Sequence, residues 1–387
     1  MVSFNNTEIA FRSKSNLKLK KAYYLFKLMG KPFLASVGGK MTEMAFRLHL
    51  PIKGIIKNTV FQQFCGGESM EKCALKIDEL AASNVKTILD YSVEGKDSEK
   101  DFNRTMKQTL ASLDFAKKNN NIPFAVFKLT GVARFELLEK INYGKELTEL
   151  EQQEYDRALH RISKICKKAH QYKIPVMIDA EESWIQDAID GIVEDMMRAY
   201  NKESAIVYNT LQMYRHDRLE YFKRVHRDSQ HNGYFLGMKI VRGAYMEKEI
   251  ERALEKGYSN PIQPNKEACD RDYNSGLKYA CENINGISIC AGTHNEESSR
   301  HLIDLMEEFE IEKNNPKIYF AQLLGMSDHI SFNLAEASFN TVKYVPYGPV
   351  KDVLPYLIRR AEENTSIAGQ TGRELNLIEQ EIKRRKG

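Results

Sequence analysis

Arg359 and Arg360 stand side by side in the stretch PYLIRRAEENTS, with Tyr356 one turn before them and Glu363 one turn after. Two adjacent guanidiniums offer forked N–H donors, and such forks grip a carboxylate in bidentate fashion. On a helical wheel Val353, Leu354, Leu357, Ile358 and Ala361 fill the opposite side, so the segment reads as an amphipathic helix. Asp352 suits its N-cap, and Pro355 falls in the first turn, where the missing donor is tolerated. The polar stripe has two readings. It is either a solvated face or a fork for an anionic ligand, with Tyr356 as one wall.

Other reactive side chains follow short apolar runs. Lys128 closes FAVFK, Asp179 follows VMI, Asn209 lies in AIVYNT, and Lys239 and Arg242 sit in KIVRGAY. Thr293, His294 and Asn295 come directly after ISICAG, while Gln322 and Tyr344 fall in IYFAQL and VKYVP. Lys128 suits a Schiff base with a carbonyl substrate, or a fixed positive charge facing a carboxylate. Asp179 taken alone reads as a helix N-cap. Gly243 after KIVR lets backbone amides approach a ligand, and the flanking cations suit a phosphate or a reducible ring. KIVRGAY is not a P-loop, and the chain has no G-x-G-x-x-G, so a dinucleotide would not be held in Rossmann fashion. Only Asp179, Glu181 and Glu182 cluster as carboxylates and there is no H-E-x-x-H, so no metal is expected. A G-x-S-x-G elbow for a serine nucleophile is also missing.

The elements that must position these residues alternate. Runs at 85–90, 123–128, 175–180, 205–210, 237–242, 287–292, 318–323 and 342–346 are rich in Val, Ile, Tyr or Phe and bounded by loop residues, as strands are. Segments such as EYDRALHRISKICKKAHQYK and SWIQDAIDGIVEDMMRAYNK, with helical apolar spacing, lie between them. Pro123 and Pro175 each open a strand, where a missing donor costs least. Eight alternations argue for parallel pairing, and eight strands close a (β/α)8 barrel; a doubly wound open sheet also satisfies the alternation. Residues 1–80 read as an N-terminal helical arm and 81–387 as the barrel domain, with a C-terminal helix over the barrel mouth.

Composition narrows the class further. The 387 residues are 42% hydrophobic and 28% charged, ordinary for a globular α/β chain. The net charge of +4, from 57 Lys+Arg against 53 Asp+Glu, is too balanced to argue for nucleic acid as a partner. The six cysteines (Cys65, Cys73, Cys166, Cys269, Cys281 and Cys290) form no C-x-x-C pair and read as small buried hydrophobes in a reducing, cytoplasmic compartment. No apolar run reaches the length of a membrane span. The basic, partly apolar stretch KSNLKLKKAYYLFKLMGKPF suits either an ordinary packed helix or an acidic membrane surface.

Taken together, the blocks are recognisable. YLIRRAEENTS resembles the Y-L-x-R-R-x-x-E-N signature of the proline dehydrogenase family, and KIVRGAY, MIDAEE, THN and QLLGM resemble its other blocks in the same order. DYSVEG and YNTLQMY are similar to the eukaryotic-like branch. The resemblance runs from roughly residue 60 to the C-terminus. It implies a distorted (β/α)8 TIM-type barrel, a flavoprotein that binds FAD and oxidises L-proline to Δ1-pyrroline-5-carboxylate. Hydride would pass from C5 of proline to N5 of the flavin, and electrons to a quinone. It also implies peripheral contact with an inner membrane, and a separate pyrroline-5-carboxylate dehydrogenase for the next step of proline catabolism. Carried over by position, Lys128, Arg359 and Arg360 would bind the proline carboxylate, and Tyr344 and Tyr356 would wall the ring. Asp179 would hold the polar frame, and Lys239 would stand near the flavin where many bacterial members carry arginine. Asn209 would face the flavin. The remaining cofactor positions implied are Ala180, Gln212, Val241, Arg242, Gly243, Ala244, Thr293, His294, Asn295, Gln322 and Glu363. Met246 departs from the aromatic residue some members place there. Three alternatives remain beside this reading: a hydroxyproline dehydrogenase, which the bulk of Tyr344 opposes; a Schiff-base aldolase using Lys128; and a barrel that binds an amino acid or flavin without turnover.

Overall fold

All eight apolar runs form strands. The computed structural model describes residues 2–29, 53–92, 97–359 and 370–387. Its strands are β1 (Val85–Tyr91), β2 (Phe124–Lys128), β3 (Val176–Asp179), β4 (Val207–Gln212), β5 (Leu236–Val241), β6 (Ile287–Gly292), β7 (Ile318–Leu323) and β8 (Thr341–Tyr347). They pair in parallel and in chain order into a closed barrel, which excludes the doubly wound sheet. Pro123 and Pro175 stand one residue before β2 and β3, so neither interrupts a ladder.

One strand starts later than its composition suggests. Residues 205 and 206 precede β4, and Asn201 holds the strand's entry: its side chain accepts from the N–H of Ile206 and of Val207 and donates to the carbonyls of Val207 and Phe235. The strand is therefore shifted by two residues, and its carboxyl end is Gln212.

The chain divides into two compact units, Gly95–Ala321 and the combined segments Met1–Glu94 and Gln322–Gly387. In the first unit the register aligns Val126 with Met177 and Lys128 with Asp179 across β2 and β3. Across β4, β5 and β6 it aligns Tyr208 with Gly237 and Ser288, and Thr210 with Lys239 and Cys290. Phe124 meets the rings of Tyr208 and Tyr319 edge-on at 5.5 and 4.9 Å, which marks these alternate positions as the inner face. The surrounding helices are set by ordinary signals. Glu149–Tyr172 begins with a capping box between Thr148 and Glu151 and buries Ala158, Ile162, Ile165 and Ala169 on one stripe. Asn265 and Asn295 cap the helices Lys266–Glu282 and Glu296–Glu308.

In the second unit β1 pairs with β8 from Val85↔Thr341 to Tyr91↔Tyr347. The helices Thr7–Phe11 and Asn16–Met29 pack on Gln370–Arg384 through Phe11, Leu19, Ala22, Phe26, Leu377 and Ile378. Thr7 donates to Glu381, and Arg385 donates to the carbonyls of Phe11 and Lys14, so the N- and C-terminal segments are tied together. Behind β8, Lys343 is fully buried and pairs with Asp328 at 2.9 Å, which Lys14 also meets at 2.8 Å. All six cysteines are buried and free. Among the described residues no helix is long and apolar enough to cross a membrane.

Candidate active site

Alternation along each strand decides what the barrel's carboxyl ends present. Lys128 and Asp179 occupy inner-face positions at the ends of β2 and β3, and Lys239 an inner-face position of β5 two residues before its end. Their side chains meet. The Lys128 ammonium lies 3.2 Å from Asp179 Oδ2, and Lys239 Nζ donates to Oδ1 of the same carboxylate. Asp179 and Lys239 are buried, while Lys128 is partly open. Asp179 is thus not a helix cap: the helix Ser183–Tyr200 takes Glu182 at its N-cap position, without a side-chain capping bond. The Asp179 carboxylate thus lies between two ammonium groups, each of which favours its ionised form.

Asn209 does not belong to this face. It sits one position out of phase with Tyr208 and Thr210, and its amide donates outward to Asp190 at 2.8 Å and to the Tyr221 hydroxyl at 3.0 Å. Asn209 is mid-strand, and Gln212 is the inner residue at the strand's end. Gln212 donates to the backbone carbonyl of Glu181 at 2.7 Å. Gln322 is likewise on the outer side of β7, three residues past the inward Tyr319, and its amide oxygen accepts from Ser331.

The exits of β5 and β6 carry a dense donor set. Arg242 donates through Nε to Asp270 at 2.7 Å and through its two other nitrogens to Thr293 at 2.7 Å and Ser298 at 2.9 Å, and it lies over the Tyr273 ring. Its guanidinium is therefore pre-oriented and in turn orients the Thr293 hydroxyl. Gly243 has φ +132°, and a Cβ there would run into the Tyr214 ring, so only glycine fits this exit. Gly243 and Ala244 are exposed, Val241 and His294 half-exposed, and Ala180 buried. Asn295 spends its carbonyl oxygen on capping the next helix through the Ser298 N–H. Met246 is exposed.

In the other unit, β8 carries Tyr344, which is buried, and leaves through Gly348 into a helix whose described residues are 354–359. Pro355 falls in its first turn, as expected, and the helix begins two residues beyond Asp352. Tyr356 is not on an open polar stripe. It is buried in an apolar cluster with Phe61, Phe64, Met326, Val353 and Leu357. Arg359 is half-buried; Arg360 and Glu363 lie outside the described residues.

The residue that reading the sequence for function passed over is Glu181, visible there only as part of a carboxylate cluster. It is buried and receives two bonds from Thr130, and burial pushes its carboxyl up to about 7 against the pull of Lys128 and Thr130. Its place two residues after a strand-end aspartate was the available signal.

Fold and site together define a closed parallel barrel with a carboxylate clamped between two lysines and donor-rich strand exits. A profile of the proline dehydrogenase family matches residues 73–373, and the chain belongs to that family of oxidoreductases. It is 32% identical over 426 residues to proline dehydrogenase 1, mitochondrial, of Dictyostelium discoideum, covering 98% of this chain and 74% of that one. It is 30% identical over 412 residues to the hydroxyproline dehydrogenase of Xenopus laevis, covering 97% and 88%. Among solved structures, proline utilization A from Bdellovibrio bacteriovorus inactivated by N-propargylglycine shares the fold with a TM-score of 0.73 at 18% identity. That match covers 93% of this chain and 38% of the longer polypeptide.

Proposed function

We propose that this chain oxidises L-proline to Δ1-pyrroline-5-carboxylate with FAD as its resident cofactor, the first step of proline catabolism. The observation that carries the reading is the Lys128–Asp179–Lys239 cluster on the inner face of the barrel, in a chain of the proline dehydrogenase family. FAD fits the donor chemistry at the β5 and β6 exits. Arg242, Gly243, Ala244, Thr293 and His294 would hold it, with Ala180, Gln212, Val241, Asn295 and Glu363 completing the contacts. Bound FAD would supply the acceptor for the hydride lost from C5 of proline.

The chain's own residues do the positioning. Lys128, Arg359 and Arg360 are proposed to bind the substrate carboxylate, and Tyr344 and Tyr356 to bound the ring, which fixes one end of the substrate and aims the other. Lys239, held by Asp179, is proposed to offer positive charge where negative charge accumulates during the reaction. The ring nitrogen must lose its proton before hydride leaves, so turnover should rise with pH. The deciding experiment is a visible spectrum of the purified protein before and after anaerobic L-proline. Flavin bands that bleach support the reading; bands that persist, or a protein that takes up no FAD, overturn it.

A second reading, hydroxyproline oxidation, is favoured by the Xenopus relative. Tyr344 opposes it, because a buried phenol on β8 leaves little room for a 4-hydroxyl. Tyr344→Ser is expected to shift the ratio of kcat/KM values toward hydroxyproline by about tenfold, the scale of one side-chain interaction. An unaltered ratio would remove Tyr344 as the wall.

Electrons are proposed to leave to a quinone at a membrane surface. The outer face of Asn16–Met29 supports this: Leu17, Tyr24 and Leu28 are exposed amid Lys18, Lys20, Lys21 and Lys27, with no acidic residue on the helix. The protein should therefore co-sediment with vesicles containing phosphatidylglycerol and not with pure phosphatidylcholine, and Leu17→Asp/Leu28→Asp should abolish it. Equal recovery with both vesicle types would exclude this face.

A further inference from the structure

Lys128 ends β2, and the chain turns at once into the short 3-10 segment Leu129–Gly131. Such a turn has few hydrogen bonds of its own, so something outside it must fix its height. Glu181 supplies that. Its Oε1 accepts the Thr130 N–H at 3.0 Å, and its Oε2 accepts the Thr130 hydroxyl. The backbone of Glu181 is held as well. The Glu181 N–H donates to Gln186 at 2.8 Å, the Glu181 carbonyl accepts from Gln212 at 2.7 Å, and Gln186 is held in turn by Asp190. One buried residue thus joins the ends of β2, β3 and β4.

We propose that Glu181 is a positioning residue for substrate binding: by holding the turn after β2 through Thr130, it sets where the Lys128 ammonium stands beside Asp179. The proposal rests on the reading that Lys128 binds the substrate carboxylate. Charge supports it. When ionised, Glu181 adds a second negative charge beside the Lys128 ammonium, and its protonation removes that charge. Burial, with a smaller push from Glu182, raises the Glu181 carboxyl to about 7, so this charge changes near neutrality. The carboxylate of the substrate meets the more favourable field on the acid side of that value.

The test compares Glu181→Ala, which removes the tie and the charge, with Glu181→Gln, which keeps an acceptor for the Thr130 N–H and a donor for its hydroxyl. In Glu181→Ala the KM for L-proline should rise about tenfold while kcat changes less than twofold, as expected when one charged interaction weakens equally in ground state and transition state. Glu181→Gln should stay close to the parent and should not show the parent's rise of KM through neutral pH. Thr130→Val, which keeps the N–H bond, should give a smaller increase and stands in if the alanine variant does not fold. An unchanged KM in Glu181→Ala, or a glutamine variant as impaired as the alanine one at every pH, overturns the proposal. If the parent protein does not oxidise L-proline, the functional reading fails separately. The tie is then read by amide hydrogen exchange at residues 129–131, which must quicken in Glu181→Ala and not in Glu181→Gln; equal protection in both overturns it.

Discussion

Arg359→Met is expected to raise the KM for L-proline by about 30- to 150-fold while FAD stays bound. The magnitude follows from removing a charge-assisted hydrogen bond to a carboxylate, on the order of 2–3 kcal/mol, at 1.4 kcal/mol per factor of ten. Methionine keeps the unbranched stem and its packing, so the change isolates the guanidinium. Arg359 is half-buried on the helix that follows β8, and the apolar side of that helix is anchored by Val353, Leu354, Tyr356 and Leu357, all buried. The substitution should therefore leave the melting temperature almost unmoved. Steady-state kinetics, with flavin content from the visible spectrum, check both halves. A KM within twofold of the parent would remove Arg359 from the carboxylate site. Loss of flavin together with activity would assign it to the cofactor instead.

The barrel was legible because each strand is a compact run of β-branched and aromatic residues, and eight such runs in alternation leave few topologies. What composition does not carry is phase. Ala205 and Ile206 look like strand yet precede it, at an entry where the Asn201 side chain accepts from the N–H of Ile206 and of Val207 and donates to the carbonyls of Val207 and Phe235. The strand ends at Gln212, not near Asn209, and alternation, which a shift of two places leaves unchanged, turns the Asn209 amide toward Asp190 and Tyr221. Gln322 fails for the same reason, being one residue out of phase with an inner face that only pairing reveals. Tyr356 illustrates a different gap. A wheel separates apolar from polar residues, and tyrosine belongs to both, so its burial beside Phe61 and Leu357 depends on the segment 53–64 packing against it. Lys128, Asp179 and Lys239 share the inner face because the pairing of β2 with β3 and of β4 with β5 fixes their phase.

Removing the Asp179 carboxylate should have the largest effect of any single change. Asp179 and Lys239 are both nearly inaccessible, and Lys128 meets the same carboxylate from the other side. Asp179→Ala leaves two ammonium groups near each other with their shared counter-ion gone. Breaking a buried pair in this way costs about 3–5 kcal/mol, since the remaining charge stays desolvated. The alanine variant should melt well below the parent. Turnover should also fall by on the order of a hundredfold or more at temperatures where it is still folded, because Lys239 loses the partner that aims it. Asp179→Asn separates the two effects. The amide retains the shape and one acceptor, so much of the packing survives, but its NH2 must face one of the lysines. Stability should recover in part, and turnover should not. Parent-like melting in Asp179→Ala would mean that the lysines are solvated or find other partners. Parent-like turnover in Asp179→Asn would mean that the charge of Asp179, as opposed to its shape, is irrelevant to the reaction. The asparagine variant is the stricter test, since a folded protein that still turns over fully cannot owe its chemistry to this carboxylate.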